Sequence, residues 1–332
     1  MVPSFDRGGD PRNGKVLRMG NWTTDRLEAC VRRHLPDADG PVTFERIRTG
    51  KFNTSYFVRA GGEDLVLRIA PPAGAVFCFY ERGMMKQEPA IHRLLRDQTT
   101  VPVARIRAFD ESHEAIDRDF LLMDRLPGTA LSDGPPCDPD RILEEVGRCL
   151  AQVHGLTADA YGYLGAHRPM EPQPTWAEAF RVMWGKLIED IAATGHYDAA
   201  EAGRLVGLLE DHLAAFDRPV AASLLHMDIW AQNLLVDGQG RLSGIVDWDR
   251  ALWGDPEIEF AVLDYCGISR PAFWRGYGRE RDTSPEARLR GVFYFLYELQ
   301  KYIVIRDGRS RDPAAARRYK REVMGIVERA FG

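Results

Sequence analysis

The segment His226-Met-Asp228-Ile-Trp230-Ala-Gln-Asn233 gathers an imidazole, a carboxylate and an amide into one short stretch, and Asp247-Trp-Asp249 follows soon after. Such a set suits phosphoryl transfer, in which the protein orients an attacking hydroxyl and steadies charge on phosphate oxygens rather than making covalent bonds of its own. Asp228, at the mouth of a loop, can accept the hydroxyl proton. Asn233 can reach back across that loop to a metal ion, and Asp247 at the end of the neighbouring strand can complete the ligand set. Hard oxygen donors of this kind suit Mg²⁺. A His-x-Asp pair alone is weak evidence, because His226 could be an ordinary hydrogen-bonding loop residue. Its conjunction with an Asn at that offset, a hairpin turn at Asp237-Gly-Gln-Gly240 and a Gly254-Asp-Pro256 turn is far more specific.

The elements that must position these residues divide at a connector, Met123-Asp-Arg-Leu-Pro-Gly128. Ahead of it, Thr23 or Thr24 opens a helix with Leu27, Cys30 and Val31 on one face. Three strands follow around Phe44–Ile47, Ser55–Val58 and Leu65–Ile69, separated by Gly50 to Asn53 and by Gly61-Gly62, and they read as an antiparallel meander. A helix is expected from Met84 to Asp97, with further strands at Val101–Ile106 and Asp119–Met123. Beyond the connector the apolar spacing turns helical, over Pro139–His154, from Thr175, over Ala199–Phe216, Pro285–Arg306 and Pro313–Ala330. Short strands at Ala222–Leu225, Asn233–Val236 and Leu242–Val246 flank the chemical cluster. The expected organisation is a flexible extension at 1–20, a nucleotide-binding lobe at 21–124 and a catalytic lobe at 125–332.

With 332 residues and 45% apolar composition, the chain can bury a core of that size. A formal charge of -5 without basic runs gives no footprint for nucleic acid or an anionic membrane. Five widely spaced cysteines suggest neither a disulfide framework nor a metal site, and a cytoplasmic location is expected. The partner should be a small molecule, neutral or cationic. Oligomeric state leaves no mark on the sequence.

The His226–Asn233 segment is similar to the H-R-D-x-x-x-x-N catalytic loop of protein kinases. The wider constellation of loop, hairpin, Asp-bearing strand end and Gly-Asp-Pro turn more closely resembles the aminoglycoside phosphotransferase family. That resemblance runs over nearly the whole chain past Asn21. It implies an α+β, protein-kinase-like two-lobe fold, with an antiparallel sheet and one main helix in a small N-lobe and a larger, mostly helical C-lobe. It further implies ATP, or GTP, as phosphate donor together with Mg²⁺. Asp228 would be the base with His226 its structural support in the loop, and Asn233 and Asp247 the metal ligands. Arg68 on the third strand would pair with Glu88 and hold phosphate oxygens, although the family usually has Lys there; arginine's permanent charge and fork can serve the same end. Gly50, Asn53, Thr54 and Ser55 would form the phosphate-covering turn, which lacks a GxGxxG pattern. Backbone groups at Met123, Asp124 and Leu126 would meet the adenine.

The run from Asp247 to Asp264 is acidic, with Arg250 its one base. Asp249, Glu257 and Glu259, with Trp230 in the catalytic loop, are therefore expected to face the acceptor: a hydroxyl compound bearing an amine or a sugar, such as an aminoglycoside. An acidic helix start facing solvent accounts for the same residues equally well, with Asp255 as the helix cap. The same scaffold serves choline, homoserine, methylthioribose and sugar kinases. A protein kinase is disfavoured by the short interval between Asp247 and Gly254 and by the absence of an Ala-Pro-Glu signature. A nucleotide-binding regulatory pseudokinase would have no need of an intact Asp228, Asn233 and Asp247.

Overall fold

The computed structural model describes residues 22–50 and 52–332, so the extension expected at 1–20 lies outside the described residues. Helix α1 (Thr24–His34) precedes strands β1 (Thr43–Ile47), β2 (Thr54–Ala60) and β3 (Glu63–Ile69). Next come helix α2 (Glu88–Gln98) and strands β4 (Ile106–Asp110) and β5 (Phe120–Asp124). The five strands form one antiparallel sheet in the order β1-β2-β3-β5-β4. Alternation drives the meander: along β2, Thr54, Tyr56, Val58 and Ala60 are buried while the intervening residues are more open. Leu27, Cys30 and Val31 of α1 pack with Tyr56, Val58, Leu65, Leu67 and Ile69 against one face of the sheet.

One expected strand is displaced. The apolar run from Val101 to Ile106 is extended chain outside the sheet, and strand pairing begins only at Ile106. Pro102 has no N–H to offer a ladder, and its carbonyl accepts instead from Ile245 of the second lobe. Val101 and Val103 bury against Ile142, Val146 and Leu150 there, so the alternation that looked like sheet pairing reflects packing across the lobe junction.

The second lobe contains β6 (Thr129–Ala130), α3 (Pro139–Val153), β7 (Thr157–Ala158), α4 (Trp176–Ala193) and α5 (Ala199–His212). It continues through β8 (Ala222–Leu225), β9 (Leu234–Val236), β10 (Leu242–Ile245), β11 (Leu252–Gly254), α6 (Pro256–Cys266), α7 (Pro271–Tyr277), α8 (Pro285–Val304) and α9 (Pro313–Phe331). Two small sheets, β10-β9-β6 and β11-β8-β7, frame the segment 226–249. Trp176, Phe180, Trp184, Phe216, Phe293, Tyr294 and Tyr297 build the aromatic core around α4 and α8. Trp176 and Trp184 are core residues.

Helix α7, which the sequence reading missed, packs on α3 at backbone distance. A Cβ on Gly147 would run into the Phe273 carbonyl oxygen and reach 2.7 Å from the Tyr277 nitrogen, and one on Gly276 would run into the Glu144 carbonyl oxygen. Backbone cannot yield as a flexible side chain can. Gly276→Ala should therefore lower the unfolding free energy by about 2 kcal/mol or more, read from the urea midpoint. An unchanged midpoint would mean that the two helices do not meet this way.

Candidate active site

Asp228 stands just past β8, in a loop whose backbone is bent into the left-handed region at Met227 (φ 64°). That conformation is unusual for a side-chain-bearing residue and needs outside support. The Met227 N–H donates to Glu259 Oε1 at 2.6 Å, and Glu259 Oε2 takes His154 Nε2 at 2.7 Å. His154 Nδ1 meets the Tyr277 hydroxyl at 2.8 Å, so α6, α3 and α7 all brace the loop. Burial alone would push the Glu259 carboxyl up, but the His154 contact and the charges nearby bring it below the usual range.

His226 has no exposed surface. Its Nδ1 accepts from the Asp228 N–H at 3.2 Å, which leaves the proton on Nε2, 3.0 Å from the Val246 carbonyl. Burial holds its pKa below the ordinary histidine value, so the neutral ring ties the loop to the strand leading to Asp247.

The Asp228 carboxylate has two anchors. Arg250 Nη1 donates to Oδ1 at 3.1 Å, and Asn233 Nδ2 donates to Oδ2 at 3.2 Å and to the Asp228 carbonyl at 2.9 Å. Burial works to raise its pKa, yet the positive charges of Arg250 and Lys301 outweigh it and the group lies below the ordinary aspartate value. Asn233 turns its donor end to Asp228, which leaves Oδ1, the acceptor end, for a cation. Trp230, half-buried, opens the short turn Ala231–Asn233.

Asp247 also adopts a left-handed conformation (φ 72°). Its Oδ1 accepts from Arg68 Nη2 at 2.5 Å, and the same nitrogen reaches Asp249 Oδ2 at 3.1 Å. Arg68 Nη1 donates to Glu88 Oε2 at 2.7 Å. One guanidinium from β3 thus joins a carboxylate on α2 to two carboxylates of the other lobe. Burial and the crowding of like charges push Asp247 and, further, Asp249 above the ordinary aspartate value despite Arg68.

The turn expected to cover phosphate runs through Asn53, and Lys51 within it is outside the described residues. Gly50 lies at the turn's start, and Thr54 and Ser55 enter β2, with Ser55 opposite Arg68 in the ladder. Asn53 Nδ2 donates to Asp249 Oδ2 at 3.1 Å, and its buried Oδ1 has no hydrogen-bond partner among the described residues. At the connector, the Asp124 and Arg125 N–H groups are taken by the Arg105 and Asp64 carbonyls at 2.9 and 3.0 Å. Backbone contact with a base at Asp124 would therefore have to use its carbonyl. Met123 packs with Met85, Leu121, Val66 and Leu126 in an apolar cluster beside it.

Three residues expected to face an acceptor are engaged elsewhere. Asp249 is buried against Arg68 and Asn53. Glu257 is held by Arg290, whose Nε lies 2.7 Å away, and by Arg218. Glu259 is the fully buried brace of the catalytic loop. Asp255 does cap α6, accepting from the Glu257 N–H at 3.0 Å. The acidic run is thus largely internal pairing, because its partners come from distant parts of the chain.

Sequence reasoning missed Arg250, buried between Asp228 and the Tyr80 ring, with Cζ 5.2 Å from the ring centre. It also missed Glu298 and Lys301 on α8, paired at 2.5 Å and nearly free of solvent, with Arg250 Nη2 3.9 Å from Glu298. Charged residues at that depth on a helix mark a polar chamber rather than a core, but in the sequence they look like ordinary helix surface.

Among the described residues, no group of three or more His, Cys, Asp or Glu could hold a metal ion unaided. Mg²⁺ commonly binds through one or two protein oxygens, with substrate phosphates and water completing its shell. The free Oδ1 of Asn233 and the Asp247 carboxylate, in a pocket with more carboxylates than cations, fit that pattern.

The chain is 26% identical over 290 residues to mouse acyl-CoA dehydrogenase family member 10, covering 83% of this chain and 25% of that protein. It spans only a quarter to a third of the length of the curated relatives it matches first. Two solved structures share the fold. A protein proposed to be a fructosamine-3-kinase, from Haemophilus somnus 129PT, aligns with a TM-score of 0.67 at 16% identity over 90% of this chain and 96% of that one. A thermostable mutant of the aminoglycoside phosphotransferase APH(4)-Ia, in a ternary complex with AMP-PNP and hygromycin B, aligns at a TM-score of 0.63 with 20% identity over 91% and 99%. The two-lobe, protein-kinase-like architecture expected from the sequence is the one these structures have. The model of the phosphotransferase enzyme family known as APH matches residues 43–292, most of the chain, and the protein belongs to that family.

Proposed function

We propose that the chain is an ATP-dependent small-molecule kinase that transfers the γ-phosphate to a hydroxyl group, with Asp228 as the base. The observation that supports this most is the convergence of Asp228, Asn233 and Arg250 in hydrogen-bond contact on one side, with Asp247 tied through Arg68 to Glu88 on the other. In this reading Asp228 accepts a hydrogen bond from the acceptor hydroxyl and takes its proton as the oxygen bonds to the γ-phosphorus. The bond from that phosphorus to the β-γ bridging oxygen breaks, and ADP leaves. Asn233 and Asp247 would hold Mg²⁺, which when bound would neutralise phosphate charge. Arg68 turns part of its fork to phosphate oxygens, and Met123, Asp124 and Leu126 border the base.

For the acceptor, a sugar or amino sugar suits the chamber better than a highly charged polycation. Asp249, Glu257 and Glu259 are committed to internal partners, and near Asp228 the cations Arg250 and Lys301 balance Asp228 and Glu298. Trp230 offers a half-exposed aromatic face in the catalytic loop. A metabolite kinase of the same fold, acting on choline, homoserine or methylthioribose, is the competing assignment.

ADP release from ATP and Mg²⁺ should rise when ketoamines or aminoglycosides are supplied. Stimulation by choline alone would move the assignment to the metabolite kinases, and nucleotide binding without turnover on any acceptor would sink the catalytic reading. Asp228→Asn should lower kcat by at least ~100-fold while ATP affinity stays within about twofold. Loss of nucleotide binding in that variant would mean that Asp228 has another role. Asp247→Ala should abolish Mg²⁺-dependent turnover, and unchanged kinetics across a Mg²⁺ titration would remove it from the metal site.

A further inference from the structure

In the first lobe α2 and β4 line a groove of about 320 Å³, whose walls include none of Arg68, Asp228, Asn233 or Asp247. Its walls carry Arg93 and Arg96 from α2, with Arg105 and Arg107 from the opposite side. Their pairing differs. Arg107 is bound by Glu63 and, through Nε at 2.5 Å, by Asp124. Arg96 reaches only the Val103 carbonyl, at 3.5 Å. The guanidinium groups of Arg93 and Arg105 have no hydrogen-bond or ion-pair partner among the described residues. Three exposed guanidinium groups without a carboxylate therefore face one opposing acid, Asp97, in a chain whose formal charge is -5. Pro89, Ile106 and Phe109 add apolar surface between the cations.

We propose that this groove is a second binding site, distinct from the nucleotide cleft, for a small phosphate-bearing molecule. Guanidinium forks match phosphate oxygens, and a group carrying close to two negative charges can engage several of them at once, which a single carboxylate cannot. The volume is at the low end of small-molecule sites, which favours a compact phosphoester over a phosphorylated protein segment.

The groove touches the nucleotide site at both ends. Its α2 wall begins at Glu88, the carboxylate that fixes Arg68. On the other wall, the Arg105 carbonyl accepts the Asp124 N–H at 2.9 Å and Arg107 holds the Asp124 side chain. An anion bridging Arg93 and Arg96 to Arg105 would draw α2 and β4 together and hold Glu88 against Arg68. Nucleotide should then bind more tightly, and by reciprocity nucleotide should tighten the anion.

The test is titration of the full chain with inorganic phosphate and with glycerol 3-phosphate, at constant ionic strength and with Mg²⁺ and ADP saturating so that the cleft is filled. Calorimetry should give saturable binding of at least one of them with Kd of about 10 mM or tighter. The double variant Arg93→Ala/Arg105→Ala, whose side chains lie outside the catalytic machinery, should weaken it at least about tenfold while ADP affinity without the anion is unchanged. Binding of a fluorescent ADP analogue should tighten severalfold on adding the anion to the native chain and not to the variant. Absence of saturable binding for both probes, or binding that survives in the double variant, overturns the site. Binding that is lost in the variant but leaves nucleotide affinity untouched overturns the coupling. All readouts are binding measurements, so they stand or fall separately from the kinase assignment.

Discussion

A single guanidinium holds the two lobes in register. Arg68 donates to Glu88 in its own lobe and to Asp247 and Asp249 across the cleft, so the strand that carries it and the strand end that carries Asp247 cannot drift apart without stripping a buried charge of its partners. The count of charges matters as much as the geometry. When all are ionised, three carboxylates surround one cation, and the surplus is partly relieved by the upward shifts of Asp247 and Asp249. A pocket in that condition favours a divalent ion. It also explains why arginine can replace the family's usual lysine, because reaching three carboxylates on two lobes needs a fork rather than a point charge.

The catalytic loop depends on a second set of constraints that keeps unfavourable backbone in place. Met227 and Asp247 both sit at positive φ, and each is flanked by a contact that pins it: Glu259 on the Met227 N–H, and Arg68 on the Asp247 carboxylate. His226 spans the gap between them through Val246. Neither strained residue is a glycine, so the cost is met by surrounding structure rather than by a permissive side chain. The line Tyr277–His154–Glu259 carries that support out to α7, whose own placement requires Gly147 and Gly276.

What could be read from the sequence follows from how local each signal is. The pairing of Asp228 with Asn233 was legible because both lie in one short loop. The N-lobe meander was legible from alternation, and Arg68 with Glu88 from order and spacing within a resembling family. The acidic run was misread because its partners, Arg290, Arg218 and His154, come from distant segments, and nothing near Glu257 or Glu259 announces them. Arg250 was seen only as the lone base in an acidic run. The stretch Val101–Val103 was misassigned because burial across a lobe junction and burial in a sheet leave the same pattern of apolar residues.

In the proposed mechanism Arg250 sets the character of the base. By holding Asp228 ionised it makes the carboxylate a poorer proton acceptor, which would be a handicap if the hydroxyl had to be deprotonated before attack. In a loose transition state the attacking oxygen gains acidity only as its bond to phosphorus forms, so the proton is transferred late. What the site then needs is a carboxylate that is charged, fixed in direction and ready to take a hydrogen bond from the start. Two donors on separate oxygens, Arg250 on Oδ1 and Asn233 on Oδ2, supply that fixity, and the second of them would also present its carbonyl end to the proposed metal. In that mechanism, orientation of the acceptor and placement of the cation rest on the same amide, so a shift of Asn233 would disturb both halves of the chemistry together.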